Sequence, residues 1–206
     1  MLLFHHAIRV AQYMDNRSRT TDQRLRAAHE AFGGTGPGRR WVTDELNHAL
    51  ILRLASEFQG FARDLHDECG LFIARCLAPG NQQLQDSLRI PYTLYRKMNQ
   101  GSADPGTLGN DFGLFGMVLW ADLQARYPTH AGAWNQKLLA LNMARNGIAH
   151  DDGTKIARAQ ANGWPLTLRS VDRWKSSLDG LARGIDRAVG GHLKLMYGTT
   201  PWQEAT

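Results

Sequence analysis

Residues 43–77 read TDELNHALILRLASEFQGFARDLHDECGLFIARCL, and their spacing decides the fold class. Leu46, Leu50, Leu54, Phe58, Phe61, Leu65, Cys69, Phe72 and Cys76 recur three or four residues apart. On a helix that spacing gathers them into one apolar stripe. Arg53, Glu57, Arg63, Asp67 and Arg75 take the remaining faces. Thr43 or Asp44 can cap the start, and Ala78-Pro79-Gly80-Asn81 stops the run. A buried stripe of about five turns or more is the spine of a helical bundle.

Helical spacing continues outward from this spine. A second helix covers Gln83 to Asn99, with Pro91 as a candidate break, and Gly101-Ser102-Ala103-Asp104-Pro105-Gly106 reads as a loop. A third runs from Asp111 to Tyr127 and closes at Pro128. A fourth, Ala131 to Ala149, carries Trp134, Leu138, Leu141 and Ile148 and stops at Asp151-Asp152-Gly153. The last, Ser170 to Tyr197, holds Val171, Trp174, Leu178, Leu181, Ile185, Val189, Leu193 and Met196 in register, interrupted at Gly190-Gly191. No segment of useful length alternates apolar and polar residues, so the chain reads as all-α. Residues 1–40 form an arm, with helical stretches at Leu3–Met14 and Thr21–Phe32 and a connector at Gly33–Gly38. The arm packs either on the bundle, residues 41–198, or on another subunit; residues 199–206 read as a tail.

At 206 residues, 43% hydrophobic and 21% charged, the composition is that of one ordinary globular domain. The apolar runs LLALNMA and LFGMVLWA fall far short of the ~20 residues a bilayer span needs. The opening MLLFHHAIRV lacks the pattern of a secretory leader, so a cytoplasmic location is the expectation. Cys69 and Cys76, on one helix, would stand about 10 Å apart, too far to bridge, and read as small core residues. The net charge of +5 is compatible with a polyanionic partner. Only Lys97, Lys137, Lys155, Lys175 and Lys194 are lysines, and the arginine bias suits bidentate phosphate contacts. A basic surface without a ligand is the plain alternative.

The chemistry concentrates in LLALNMARNGIAHDDG (Leu138–Gly153), which holds Arg145, Asn146 and His150. Cleaving RNA without a metal needs a base for the 2′-hydroxyl, an acid for the leaving 5′-oxygen and a cation at the phosphorane. A histidine serves as base or acid near neutral pH, and an arginine fork clamps non-bridging oxygens. An asparagine amide orients either one. Residues five apart on a regular helix point about 140° from each other. Arg145 and His150 therefore share a cleft only if the helix loosens between them, or if two copies of the chain build the cleft together.

An all-α chain with R-N-x-x-x-H at the end of a late helix resembles the HEPN superfamily of prokaryotic helical proteins. HEPN ribonucleases carry an arginine and a histidine separated by a short spacer, commonly with a polar residue after the arginine, and Arg145, Asn146 and His150 match that pattern. LILRLASEFQGFARDLHDE (Leu50–Glu68) is similar to the long early helix of certain HEPN nuclease-like families. Those relatives often hold an acidic residue where Gln59 stands, with Glu57 two positions earlier. The resemblance spans Trp41 to Tyr197. It implies a HEPN-like bundle acting as a metal-independent endoribonuclease without a cofactor. It also implies a homodimer whose two motifs line one cleft, and a toxin or phage-defence role with an antitoxin or defence-system partner. His150 would be the general acid/base, Arg145 the transition-state cation and Asn146 the positioning residue, with Arg63 and Gln59 as RNA contacts. One HEPN subgroup carries a tyrosine two residues after the histidine; Asp152 stands there instead.

Each candidate has a plainer reading. His150 suits a helix C-cap bonded to a terminal carbonyl, and Arg145 a salt bridge to Asp151 or Asp152. Asn142, one turn before Asn146, reads as a bystander, and His5 and His6 as incidental. His66 lies beside Asp64, Asp67 and Glu68 without a clear pair of ligands at i, i+4 spacing, so no metal is expected. Phe58, Phe61, Trp134 and Trp174 read as core. The competing function is a non-catalytic HEPN-like module that binds nucleic acid, a nucleotide or a protein.

Overall fold

A computed structural model describes residues 17–32 and 37–202. The spine helix starts earlier than Thr43. We number the helices α1 (Arg17–Phe32), α2 (Pro37–Leu77), α3 (Gln82–Leu94), α4 (Pro105–Gly113), α5 (Leu119–Arg126), α6 (Ala131–Ala149), α7 (Gly153–Ala161) and α8 (Leu168–Tyr197), with a 3₁₀ turn at Lys97–Asn99. No strand occurs among the described residues. No helix among them is long and apolar enough to cross a membrane.

Helix α2 buries Leu50, Leu54, Phe58, Phe61, Leu65 and Cys69, while Leu46, Phe72 and Cys76 sit half-buried at the ends of the stripe. Ile51, Ala62, Ile73 and Ala74 are also buried. The apolar face is thus wider than one stripe, because α3, α6 and α8 all pack on this helix. Helix α8 answers with Val171, Trp174, Leu178, Leu181, Ile185, Val189 and Leu193, all buried. Each large apolar side chain so buried contributes about 1.5–3 kcal/mol. Thr167 caps α8 through a 3.3 Å bond from Ser170 N, and Gly198 ends it at φ 71°.

Four expectations change. The segment Asp111–Tyr127 is two helices rather than one, because the chain turns at Gly116, where φ is 75°. Glycine reaches that left-handed conformation without a Cβ penalty. The expected loop at 101–106 contains the start of α4, with Pro105 in the first turn and Asp104 accepting from Thr107 N at 2.9 Å. Pro91 does not break α3, which runs on to Leu94. Gly190-Gly191 does not interrupt α8; Trp202 lies against Gly190, where an added Cβ would stand 3.2 Å from its Nε1. Within the segment 199–206, Thr199 and Thr200 are exposed and Trp202 is buried.

Of the arm, α1 packs on α2 of its own chain, with Leu25 against the core and Arg26 paired to Asp172 of α8 at 2.8 Å. The expected helix Leu3–Met14 lies outside the described residues. Cys69 and Cys76 are free thiols, the first buried and the second half-buried, and burial raises the pKa of both.

Candidate functional site

Helix α6 ends where the sequence places its stop. His150 occupies the C-cap at φ −113°, and its N–H donates to Asn146 O at 3.2 Å. Asp151 N donates to Ile148 O at 3.3 Å and Asp152 N to Gly147 O at 2.8 Å. These two bonds satisfy carbonyls of the last turn in the manner of a Schellman cap. The left-handed residue of the cap is Asp151, at φ 49°, and not Gly153, which already belongs to α7.

Helix α7 has no counterpart in the sequence reading. Asp152 caps it, accepting from Thr154 N and Lys155 N at 3.1 Å each. The Lys155 N–H bond first, and the Lys155 ammonium second, lower the pKa of the Asp152 carboxyl. Gly147 allows the two helices to meet, since a Cβ there would stand 3.0 Å from Ile156 Cγ1 and 3.1 Å from Ile156 N.

The motif residues are arranged unevenly. Arg145 donates from Nη1 to Asn146 Oδ1 at 2.8 Å and has no ion pair among the described residues, so the expected bridge to Asp151 or Asp152 does not form. The His150 side chain is exposed and has no hydrogen-bond partner among the described residues, so it is no carbonyl-bonded cap. Because α6 keeps its hydrogen bonds through His150, it does not loosen between Arg145 and His150. The about 140° between them on a regular helix remains. Within one chain, Arg145 and Asn146 are together and His150 is apart.

Asn146 also lines a cleft of about 230 Å³. Ser102 and Asp104 form one wall, Asn142 stands on α6, and Lys155 and Arg158 reach in from α7. Asn142 is no bystander: it is buried and donates to Ala103 O at 3.2 Å and Leu138 O at 3.0 Å, tying the loop wall to α6. Lys155 and Arg158 escaped the sequence reading because α7 did. The available signal was Asp152 as an N-cap ahead of Ile156 and Ala159.

Gln59 and Arg63 stand behind that wall and do not line the cleft. Gln59 donates to Met98 O at 3.1 Å and Gly101 O at 2.7 Å. Arg63 donates to Met98 O through Nε at 3.0 Å and also through Nη2. Around them the segment is pinned by other polar side chains. Asp111 accepts from Lys97 N at 2.7 Å and Met98 N at 2.8 Å, while Arg96 reaches Asp67 Oδ1 at 2.6 Å and Arg63 O at 3.2 Å.

His66 belongs to this knot and not to a metal site. It is fully buried, and its Nε2 donates to Asp111 O at 3.1 Å with rings of Phe112 and Phe115 alongside. Burial, and next the charge of Arg96, hold its pKa down to about 4, so the ring is neutral in the folded chain near pH 7. Its Nδ1 has no hydrogen-bond partner. No cluster of metal-binding side chains occurs among the described residues.

Compared with protein-family models, curated proteins and solved structures, the chain finds no match in any of the three. The HEPN resemblance accordingly rests on the motif and the early helix.

Proposed function

We propose that this chain is a HEPN-type, metal-independent endoribonuclease that cleaves RNA by transesterification at a site completed by two copies. The observation that carries the reading is the state of the motif at the end of α6. Arg145 is joined to Asn146 and has no carboxylate partner among the described residues, and His150 has an exposed, unpartnered imidazole. These side chains are not consumed by the fold.

In the proposed reaction His150 takes the proton of the 2′-hydroxyl as the 2′-oxygen attacks phosphorus. Arg145 offsets the charge on the phosphorane, and Asn146 holds the arginine fork in place. The bond to the 5′-oxygen breaks, and a protonated histidine, His150 of the second copy, protonates the leaving oxygen. The products are a 2′,3′-cyclic phosphate and a 5′-hydroxyl. Lys155 and Arg158 would hold flanking phosphates from the cleft. A homodimer supplies the second histidine, since one chain leaves Arg145 and His150 on different faces. A toxin or phage-defence role, with an antitoxin or defence partner, follows from the same reading.

The test is cleavage of RNA in EDTA by wild type and His150→Ala, with end-group analysis of the products. Equal cleavage by both proteins overturns the assignment. The competing reading, a non-catalytic module that binds nucleic acid, is favoured by the separation of Arg145 from His150 within one chain. Tight, salt-sensitive RNA binding without turnover would select it.

A further inference from the structure

On the other side of α6 lies a second concavity, of about 490 Å³, between the amino-terminal half of that helix and α8. Helix α8 contributes Ser176, Ser177, Gly180, Arg183, Gly184 and Arg187, whose spacing puts them on one face. Helix α6 and the turn before it contribute His130, Trp134 and Lys137, and Tyr127 closes one edge. At about 100° per residue, these α6 residues point about 180° away from Leu139, Asn142, Met143 and Asn146, which line the motif cleft. The groove is a separate site.

Among the described residues its charge is uncompensated: Lys137, Arg183 and Arg187 line it, and no carboxylate does. Lys137 donates to the neutral Ser177 Oγ at 2.7 Å. Neither Arg183 nor Arg187 has an ion-pair partner among the described residues, whereas the neighbouring Lys175 is paired with Asp179 at 3.1 Å. Two guanidinium groups at i, i+4 on one helix face repel each other. An anion in the groove would offset that repulsion.

An aromatic wall lies between the cations. The Trp134 ring meets Tyr127 at 5.3 Å and His130 at 5.5 Å between centroids. It presses on α8 where side chains are missing: a Cβ at Gly180 would stand 3.2 Å from Trp134 Cζ2, and one at Gly184 would stand 3.0 Å from Cζ3. Trp134, which the sequence reading placed in the core, packs against the core and is half-buried at its edge. Lys137 bonds beside Ser177, Trp134 packs at Gly180 and Gly184, and Arg187 follows. Ser177 and Arg187 are about 15 Å apart along α8.

We infer that this groove is a binding site for single-stranded nucleic acid, with Lys137, Arg183 and Arg187 on successive phosphates and a base against Trp134. Cations spread along a track with aromatic rings among them suit a strand of a few nucleotides, because every base offers a face for stacking. The inference does not depend on whether His150 cleaves RNA.

The test uses the full chain and a fluorescein-labelled 12-nucleotide single-stranded DNA, which lacks the 2′-hydroxyl and cannot be cleaved by transesterification. Anisotropy titrations at several salt concentrations should show saturable binding. In the double variant Arg183→Ser/Arg187→Ser, affinity should fall by at least about tenfold. Its slope of log K against log[salt] should become shallower by about 1.4, as expected for two lost phosphate contacts on a single strand. The inference is overturned if wild type fails to bind, if the double variant matches wild type in affinity and slope, or if free ATP binds more tightly than the oligonucleotide. The last result would make the groove a nucleotide site.

Discussion

Around residues 96–101 polar side chains face inward and are consumed by the fold; at the carboxyl end of α6 they face outward and keep atoms in reserve. Gln59, Arg63 and Asp111 spend their donors or acceptors on main-chain groups of that short segment, and Arg96 is shared between Asp67 and Arg63 O. Among the described residues Arg145 has one bond, to its neighbour, and His150 has no side-chain bond. Buried polar groups must be paired or they cost stability, so residues of the first kind are explained by folding alone. The second kind is not.

The largest test of this contrast is His150→Ala, expected to lose at least about a hundredfold in RNA cleavage while retaining wild-type stability. Loss of stability in its place would make His150 a structural residue and erase the contrast.

The inward group should reveal itself through pH. His66 has a folded pKa of about 4, below the ordinary ~6.5, so the unfolded chain takes up its proton first as pH falls. The stability it lends is fully present above about 6.5 and is lost progressively as pH falls to about 4, in total about 3 kcal/mol. Denaturation at a series of pH values should show this slope in wild type and a flatter one in His66→Gln. An unchanged slope would assign the pH dependence to other groups.

Gly147→Ala tests whether the outward group is nonetheless held in place. The new Cβ would meet the Ile156 main chain at 3.1 Å, and backbone does not yield as a side-chain tip does. A loss of about 1–3 kcal/mol is expected from denaturant titration, with reduced cleavage alongside. The smallest effect should come from Arg63→Ala, a loss of about 1–2 kcal/mol with RNA affinity less affected than in Arg158→Ala. Should RNA affinity fall further in Arg63→Ala, Arg63 contacts RNA and the division between the two regions fails there.

Both ends of α6 and the existence of the spine α2 and the long α8 were legible because one apolar period runs through each; the start of α2 at Pro37 and the continuity of α8 through Gly190-Gly191 were not. Asp111–Tyr127 was misread because Leu114, Phe115 and Leu119 keep helical spacing across a turn that Gly116 alone decides. Helix α7 was missed because it is nine residues long and carries little beyond Ile156 and Ala159 to mark a buried face. The motif itself was readable as residues. The cleft beside it was not, since it depends on Asn142 holding a loop from far earlier in the chain. Trp134 was legible as a ring packed on the core; that it stays half-buried beside a groove was not, since periodicity gives the face of a ring and not its exposure.

The docking of Trp202 on Gly190 bears on where this chain can be cut. A version ending at Gly198 would retain all eight described helices and look intact by secondary structure. It would nevertheless leave a hollow the size of an indole over the last third of α8, wet where it had been dry. Expression boundaries drawn from the helices alone would therefore yield a weaker protein, with its fault less than one helical turn from Arg187 of the groove.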